Sequence, residues 1–312
     1  MKTSKLKPAL SLEQARDILP IAEDIASESF KQLTEGHFSQ AFSFETTTGD
    51  KRVLRLGRML FSFQADQFAH DRFVSADLPI PAVLQIGNIE PGLYYCVSEL
   101  APGVPSDHLS SEDFVAARES MERVYAAIFK TDIARSNGSG NVDLTTGNAK
   151  STNFQVALHE EMLERDPKFL KEQCAKYNIN PILIDEFMRQ FDDNIDQAAA
   201  ERRLIHGDLG SDNVLISDGR VTGVIDWSSV GYGDWLHDYS RMEFWYPGKN
   251  ISATEFAHKY ELETQNFEAR WLAGMAAHAI STLDFAFHHE SDSVTQWLRE
   301  HLQHKLGLSG VK

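Results

Sequence analysis

Cysteine is scarce in this chain: two residues, Cys96 and Cys174, lie far apart among 312. That excludes a disulfide-stapled scaffold and a cysteine-based zinc site, and two reduced structural thiols are expected. Long apolar runs are missing as well. None approaches the ~20 residues that span a bilayer. The start Met1-Lys-Thr-Ser-Lys-Leu-Lys lacks the apolar core of a signal peptide, so a cytoplasmic protein with no membrane partner is expected. Positive charge is short: 30 Lys and Arg stand against 46 Asp and Glu, a formal net charge of −16. Such a surface repels phosphates, which argues against nucleic acid as a partner. It suits a cationic small molecule, because an acidic cleft concentrates cations and speeds encounter; plain solubility is the competing explanation. An internal repeat, a P-loop, an H-E-x-x-H and a full G-x-G-x-x-G are also absent. What remains is an ordinary globular composition, 42% hydrophobic and 24% charged, with length for two domains or one large one.

Against that background stands Leu204-Ile205-His206-Gly207-Asp208-Leu209-Gly210-Ser211-Asp212-Asn213-Val214-Leu215-Ile216. An apolar pair leads in and an apolar triplet leads out, so the stretch reads as a loop between two buried strand-like runs. His206, Asp208 and Asn213 have the H-x-D-x-x-x-x-N spacing of a kinase catalytic loop, in which the Asp faces the substrate hydroxyl and the Asn holds magnesium. Asp226 follows at the end of Val221-Thr222-Gly223-Val224-Ile225, where a second metal-holding Asp belongs. Between them, Ser217-Asp218-Gly219-Arg220 is an Asp-Gly turn joining two β-branched runs, hence a hairpin that returns Asp226 towards Asn213. Two oxygen ligands beside one acidic residue form a site for Mg2+ bound to a nucleotide.

This run, followed by Val224-Ile225-Asp226-Trp227-Ser228 and Gly233-Asp234, resembles the aminoglycoside phosphotransferases, small-molecule kinases with a protein-kinase-like fold. The likeness covers about residues 30–105 and 204–247, including 33–44, 76–84 and Phe244-Trp245. It implies an α+β, two-lobed protein-kinase-like fold. A mixed α/β N-terminal nucleotide-binding lobe would fill residues 1–100, with a hinge near 97–103. A mainly helical C-terminal lobe, 104–312, would carry the catalytic loop 204–216 and the substrate site. The activity implied is transfer of the γ-phosphate of a magnesium nucleotide, ATP or GTP, to a hydroxyl of a cationic aminoglycoside such as hygromycin B, conferring antibiotic resistance. A metabolite or macrolide kinase of the same fold is the alternative, and an inactive nucleotide-binding module is a third.

On this resemblance Asp208 is catalytic and meets the acceptor, Asn213 and Asp226 are the metal ligands, and His206 braces the loop. Gly36 and Ser39 lie in the segment that would cover the nucleotide phosphates, where one glycine replaces the usual three. The third strand carries Arg55 where kinases carry lysine, with Arg52 and Arg58 competing for the position. Arginine stays charged and can grip two phosphate oxygens. Its acidic partner is expected at Asp66, with Asp71 as competitor. Ser98 and Leu100 mark the main chain that would hold adenine. Glu243 is the expected acceptor contact; Trp245, two residues on, falls on another helix face and is assigned to the core. Asp234 is read as structural, bonding the catalytic-loop backbone or capping its own helix.

Around these sites, Ser11-Leu-Glu-Gln14 predicts a capped helix to about Leu19. Alternation of Phe42 and Phe44 about Ser43 predicts a strand, and 94–100 predicts another. A helix opens at Ser110-Ser111-Glu112-Asp113 and buries Phe114, Met121, Val124, Tyr125, Ile128 and Phe129. The Gly-, Ser-, Thr- and Asn-rich segment 136–153 reads as a long loop. Helices are expected over about 159–177, over 181–200 with Asn180 as cap, in a segment ending near Pro247, and over 252–261, 268–288 and 293–306.

Overall fold

The structure, a computed structural model, describes residues 7–19, 25, 26, 28–33, 38–198, 200–289 and 291–305. The chain gathers into two compact units, Met1–Thr131 with His206–Val230 and Asp132–Ile205 with Gly231–Lys312. Among the described residues no helix is long and apolar enough to cross a membrane.

The first unit is built on an antiparallel sheet. Its strands are β1 (Lys31–Gln32), β2 (Ser39–Glu45), β3 (Lys51–Gly57), β4 (Val83–Glu90) and β5 (Leu93–Glu99), in the spatial order β1-β2-β3-β5-β4. Side chains alternate across a strand, so Phe42 and Phe44 of β2 and Leu54 and Leu56 of β3 face one way and are buried together with Val97. Helix α1 (Leu12–Ile18) adds Ala15 to that core, and the Ser11–Gln14 capping box predicted for its start is present. Phe30 stacks on Phe42 with ring centroids 5.3 Å apart. The same alternation turns Arg55 to the opposite face, in register with Ala41 on one side and Cys96 on the other. Helix α2 (Leu60–Phe73) meets that face, bringing Phe63 beneath the Arg55 guanidinium.

After β5 the chain forms β6 (Val104–Pro105) and then α3 (Ser111–Lys130), which Ser110 caps by accepting from the Asp113 N–H. All six apolar residues expected on its buried face are buried. The expected hairpin is present as Val214–Ser217 and Arg220–Val224, and β6 joins its outer edge. Its turn has positive φ at both Asp218 (49°) and Gly219 (71°), the geometry that matches the twist of paired strands. Ser120 of α3 accepts the Val221 N–H at 3.0 Å and anchors the hairpin.

The second unit is mainly helical, and three expectations fail there; the helix expected over 181–200 runs only over Ile182–Ile195. Residues 136–153 are not a loop: Ser139–Asp143 pairs antiparallel with Asn148–Ser151, and Gly231–Gly233 pairs with both Ser139–Asp143 and Arg203–Ile205. The composition disguises these strands because glycines permit their close approach; a Cβ at Gly231 would stand 2.8 Å from the Gly140 carbonyl oxygen. Arg202 also donates to the carbonyls of Ser136 and Gly138, and the Tyr232 hydroxyl to that of Gly147. The helix expected over 159–177 is two, Phe154–Leu163 and Pro167–Lys176, because Asp166 caps a new start with Pro167 in its first turn. Helix Phe267–His288 crosses the unit's core, where Ala276, Ile280 and Leu283 are fully buried with Phe187 and Phe191 of helix Ile182–Ile195. Trp245 is partly buried against this core, with its ring 4.5 Å from that of Trp297. Cys96 and Cys174 are both buried free thiols.

Candidate active site

The segment from His206 to Asn213 is held by its own backbone. Asn213 donates from Nδ2 to the Asp208 carbonyl at 2.9 Å, and its N–H reaches the Gly210 carbonyl at 3.1 Å. Ser106 donates from Oγ to the Ser211 carbonyl at 2.8 Å. Gly207 has φ of 79°, and a Cβ there would stand 2.1 Å from the Ser229 carbonyl oxygen, so only glycine fits on both counts. The segment that delivers Asp226 is tied directly to this loop: the Ile225 N–H donates to the Asn213 carbonyl at 3.0 Å, and the Ile225 carbonyl lies 3.0 Å from His206 Nε2. His206 is fully buried, with its ring 4.5 Å from that of Trp227.

Asp226 itself adopts the left-handed conformation, φ 61° and ψ 63°. For a residue other than glycine this costs about 1–3 kcal/mol and persists only where neighbours enforce it. The enforcement includes Asp66, buried in the middle of α2. Its Oδ1 accepts the Trp227 N–H at 2.8 Å, and its Oδ2 pairs with Arg55 Nη2 at 2.6 Å. Arg55 Nη2 also lies 3.6 Å from Cys96 Sγ. Nε and Nη1 of Arg55 have no partner among the described residues. Burial opposes the Arg55 charge, but Asp66, Cys96 and Asp226 together hold it above the usual arginine range. Burial, then the charges of Asp66 and Asp208, push Asp226 above the usual carboxylate range.

Of the alternatives open in the sequence, Arg55 and Asp66 meet. Arg52 instead pairs with Asp50 at 3.3 Å, and both Arg58 and Asp71 are exposed. Ser39 is half-buried in β2 opposite Gly57, and Gly36 lies outside the described residues. Ser98 is buried in β5 between β3 and β4, while the Leu100 N–H donates to the Lys51 carbonyl at 3.2 Å. In the second unit Glu243 accepts the Gly248 N–H at 2.9 Å on helix Trp235–Trp245. Asp234 caps that same helix through the Leu236 N–H, at 2.8 Å, and pairs with the buried Arg270. The sequence carried no signal for the roles of Trp227, Ser106 or Cys96, whose contacts depend on backbone placement. Gly207 did have one, a glycine between the His and Asp of the motif.

The profile of the phosphotransferase enzyme family matches residues 29–271. The chain belongs to that family. Hygromycin-B 4-O-kinase from Escherichia coli is 31% identical over 243 residues, which cover 77% of this chain and 69% of that protein. Among solved structures, a ternary complex of a thermostable mutant of aminoglycoside phosphotransferase APH(4)-Ia with AMP-PNP and hygromycin B is similar with a TM-score of 0.70. That match has 28% identity and covers 88% of this chain and 91% of that one. Macrolide 2'-phosphotransferase MphH from Brachybacterium faecium, at 16% identity and a TM-score of 0.59 over 92% and 95% of the two chains, shares the fold. The chain is thus a small-molecule phosphotransferase with an antiparallel N-terminal sheet and a helical C-terminal region, as expected.

For a phosphotransferase the donor set fits a hard divalent cation. Asp226 carries a carboxylate that burial and two neighbouring acids leave short of positive charge, which a bound cation would restore. Asn213 commits its amide nitrogen to the Asp208 carbonyl, so its amide oxygen is the atom that would meet a cation.

Proposed function

We propose that this phosphotransferase transfers the γ-phosphate of magnesium ATP, or of GTP, to a hydroxyl of a cationic aminoglycoside such as hygromycin B, and so confers resistance to it. The observation that carries the reading is the hydrogen-bonded cage in which Asn213 bonds both the Asp208 carbonyl and the Ile225 N–H, directly before Asp226. Residues 1–100 form the nucleotide lobe in this reading, 97–103 the hinge, and 104–312 the lobe with the acceptor site. Asp208 orients the acceptor hydroxyl and takes its proton. Such general base action is worth ~10²–10⁴ in rate. Asn213 and Asp226 hold Mg2+, which supplies positive charge beside the phosphates. Arg55 grips the nucleotide phosphates with its remaining donors, Gly36 and Ser39 cover them, and Ser98 and Leu100 receive the base.

The acceptor assignment rests on the net charge of −16 and on the similarity to hygromycin-B 4-O-kinase. Glu243 is the proposed partner of an ammonium group. A nucleotide-consumption assay over aminoglycosides, macrolides and neutral amino alcohols tests this directly. Turnover should be best with an aminoglycoside, and kcat/KM should fall as salt screens the attraction. Salt-insensitive turnover, best with a neutral alcohol, would overturn the acceptor while leaving the phosphotransferase intact. Growth of a sensitive bacterium on hygromycin B while expressing this chain is the cellular counterpart.

A further inference from the structure

Asp66 is a single carboxylate with two jobs, and only one of them is electrostatic. Oδ2 holds Arg55 at 2.6 Å, while Oδ1 takes the Trp227 N–H at 2.8 Å. That N–H belongs to the peptide that directly follows Asp226, a left-handed aspartate. On the other side of Asp226, the Ile225 peptide is held through its N–H by Asn213 and at its carbonyl by His206. The Trp227 ring is locked as well: Nε1 donates to the Val224 carbonyl at 3.1 Å, and the ring lies 4.5 Å from His206 and 6.4 Å from Phe73. The left-handed turn at Asp226 is therefore pinned on both flanks, and the pin on the far flank comes from the middle of α2. Asp66 is 6% exposed and held at both oxygens, so its rotamer is restrained by packing and by its two partners.

We infer that Asp66 is a positioning residue for Asp226: through the Trp227 N–H it fixes the backbone that aims the metal-binding carboxylate, separately from its pairing with Arg55. This rests on the proposed metal role of Asp226. The two jobs of Asp66 separate by substitution. Asp66→Asn keeps an oxygen for Trp227 but loses the charge that holds Arg55. Asp66→Glu keeps the charge and, one methylene longer, displaces the oxygen from Trp227. Asp66→Ala removes both, and Arg55→Ala removes the pairing alone.

The test reads hydrogen exchange at the Trp227 amide of the ligand-free full chain, labelled with 15N-tryptophan, alongside calorimetric Mn2+ binding in the presence of AMP-PNP. In Asp66→Ala and Asp66→Glu, amide protection should fall and the Mn2+ dissociation constant rise by about tenfold or more, the equivalent of losing one hydrogen bond to a charged group. In Asp66→Asn and Arg55→Ala amide protection should stay close to wild type, while affinity for AMP-PNP falls. Equal protection in Asp66→Glu and Asp66→Asn would overturn the inference, as would a loss of protection in Arg55→Ala as large as that in Asp66→Ala. Should Asp66→Ala fail to fold, the Asn and Glu variants still decide. Failure of the functional reading looks different: wild type would bind no Mn2+ with AMP-PNP, yet the difference in amide protection would persist.

Discussion

His206 and Ile225 are joined through the imidazole, whose Nε2 lies 3.0 Å from the Ile225 carbonyl oxygen. The Asp208 N–H reaches Nδ1 of the same ring at 3.3 Å. A ring that accepts at Nδ1 carries its proton on Nε2, so His206 donates to Ile225 and both nitrogens are engaged in bracing. It joins the His206–Asn213 loop to the Asp226 segment. Removing a fully buried ring and two hydrogen bonds in His206→Ala should cost about 2–3 kcal/mol. Thermal unfolding checks this, and a variant that melts with wild type would refute the brace.

Asp208→Ala should lower kcat by ~10²-fold or more, with nucleotide affinity nearly unchanged, because the proposed contact of this carboxylate is with the acceptor. Single-turnover kinetics and nucleotide binding separate the two effects. Retention of most of the wild-type kcat would remove Asp208 from the chemistry.

Asp226 links stability to pH in a direction that can be worked out. Its folded-state pKa is raised, by burial first and then by Asp66 and Asp208, so folding favours its protonated form. The stability it contributes is therefore fully present below the unfolded carboxylate pKa and is lost as pH rises through the folded value. Without metal, wild type should lose stability relative to Asp226→Asn over that window. Mg2+ should stabilise wild type increasingly as pH rises, since it binds the ionised form, and should do little for the variant. Denaturant melts at several pH values, with and without Mg2+, give the comparison. Parallel curves for the two proteins would show that Asp226 is not the strained acid.

In the second unit Arg270, fully buried, donates from Nε to Asp234 Oδ2 at 2.8 Å and pairs with Glu263 at 2.9 Å. Removing one member of such a pair strands the other's charge in the interior, so Arg270→Met should destabilise by about 3–5 kcal/mol. The double variant Arg270→Met with Asp234→Asn should recover part of that loss. A double-mutant cycle with additive effects would contradict the coupling.

The local patterns that were legible share one property: each is set by side chains close in sequence. The period-two run through Phe42 and Phe44, the box at Ser11 and Gln14, the Asp-Gly turn at 218–219 and the apolar face of α3 are each written in side chains a few residues apart. The catalytic motif belongs with them, because its spacing reflects one loop and one hairpin. Where local composition misled, a distant partner had won. The strands at 139–143 and 148–151 exist because Gly231–Gly233, Arg202 and Tyr232 supply pairing that a Gly- and Ser-rich segment does not specify by itself. The break at Asp166-Pro167, a capping aspartate followed by a proline, is a local signal that the expectation of one helix over 159–177 left out.

Sequence alone thus determined the family, the order of the chemistry-bearing residues and the face of β3 that carries Arg55, since a strand's alternation follows from its backbone. Asp66 was the expected acid for Arg55, and the structure shows that pair; what holds Asp226 in its left-handed turn was decided by tertiary structure alone. Asp66 and Trp227 are 161 residues apart, and their bond runs from a carboxylate to a main-chain N–H. Every residue but proline carries such a donor, so no side-chain pattern could have announced it.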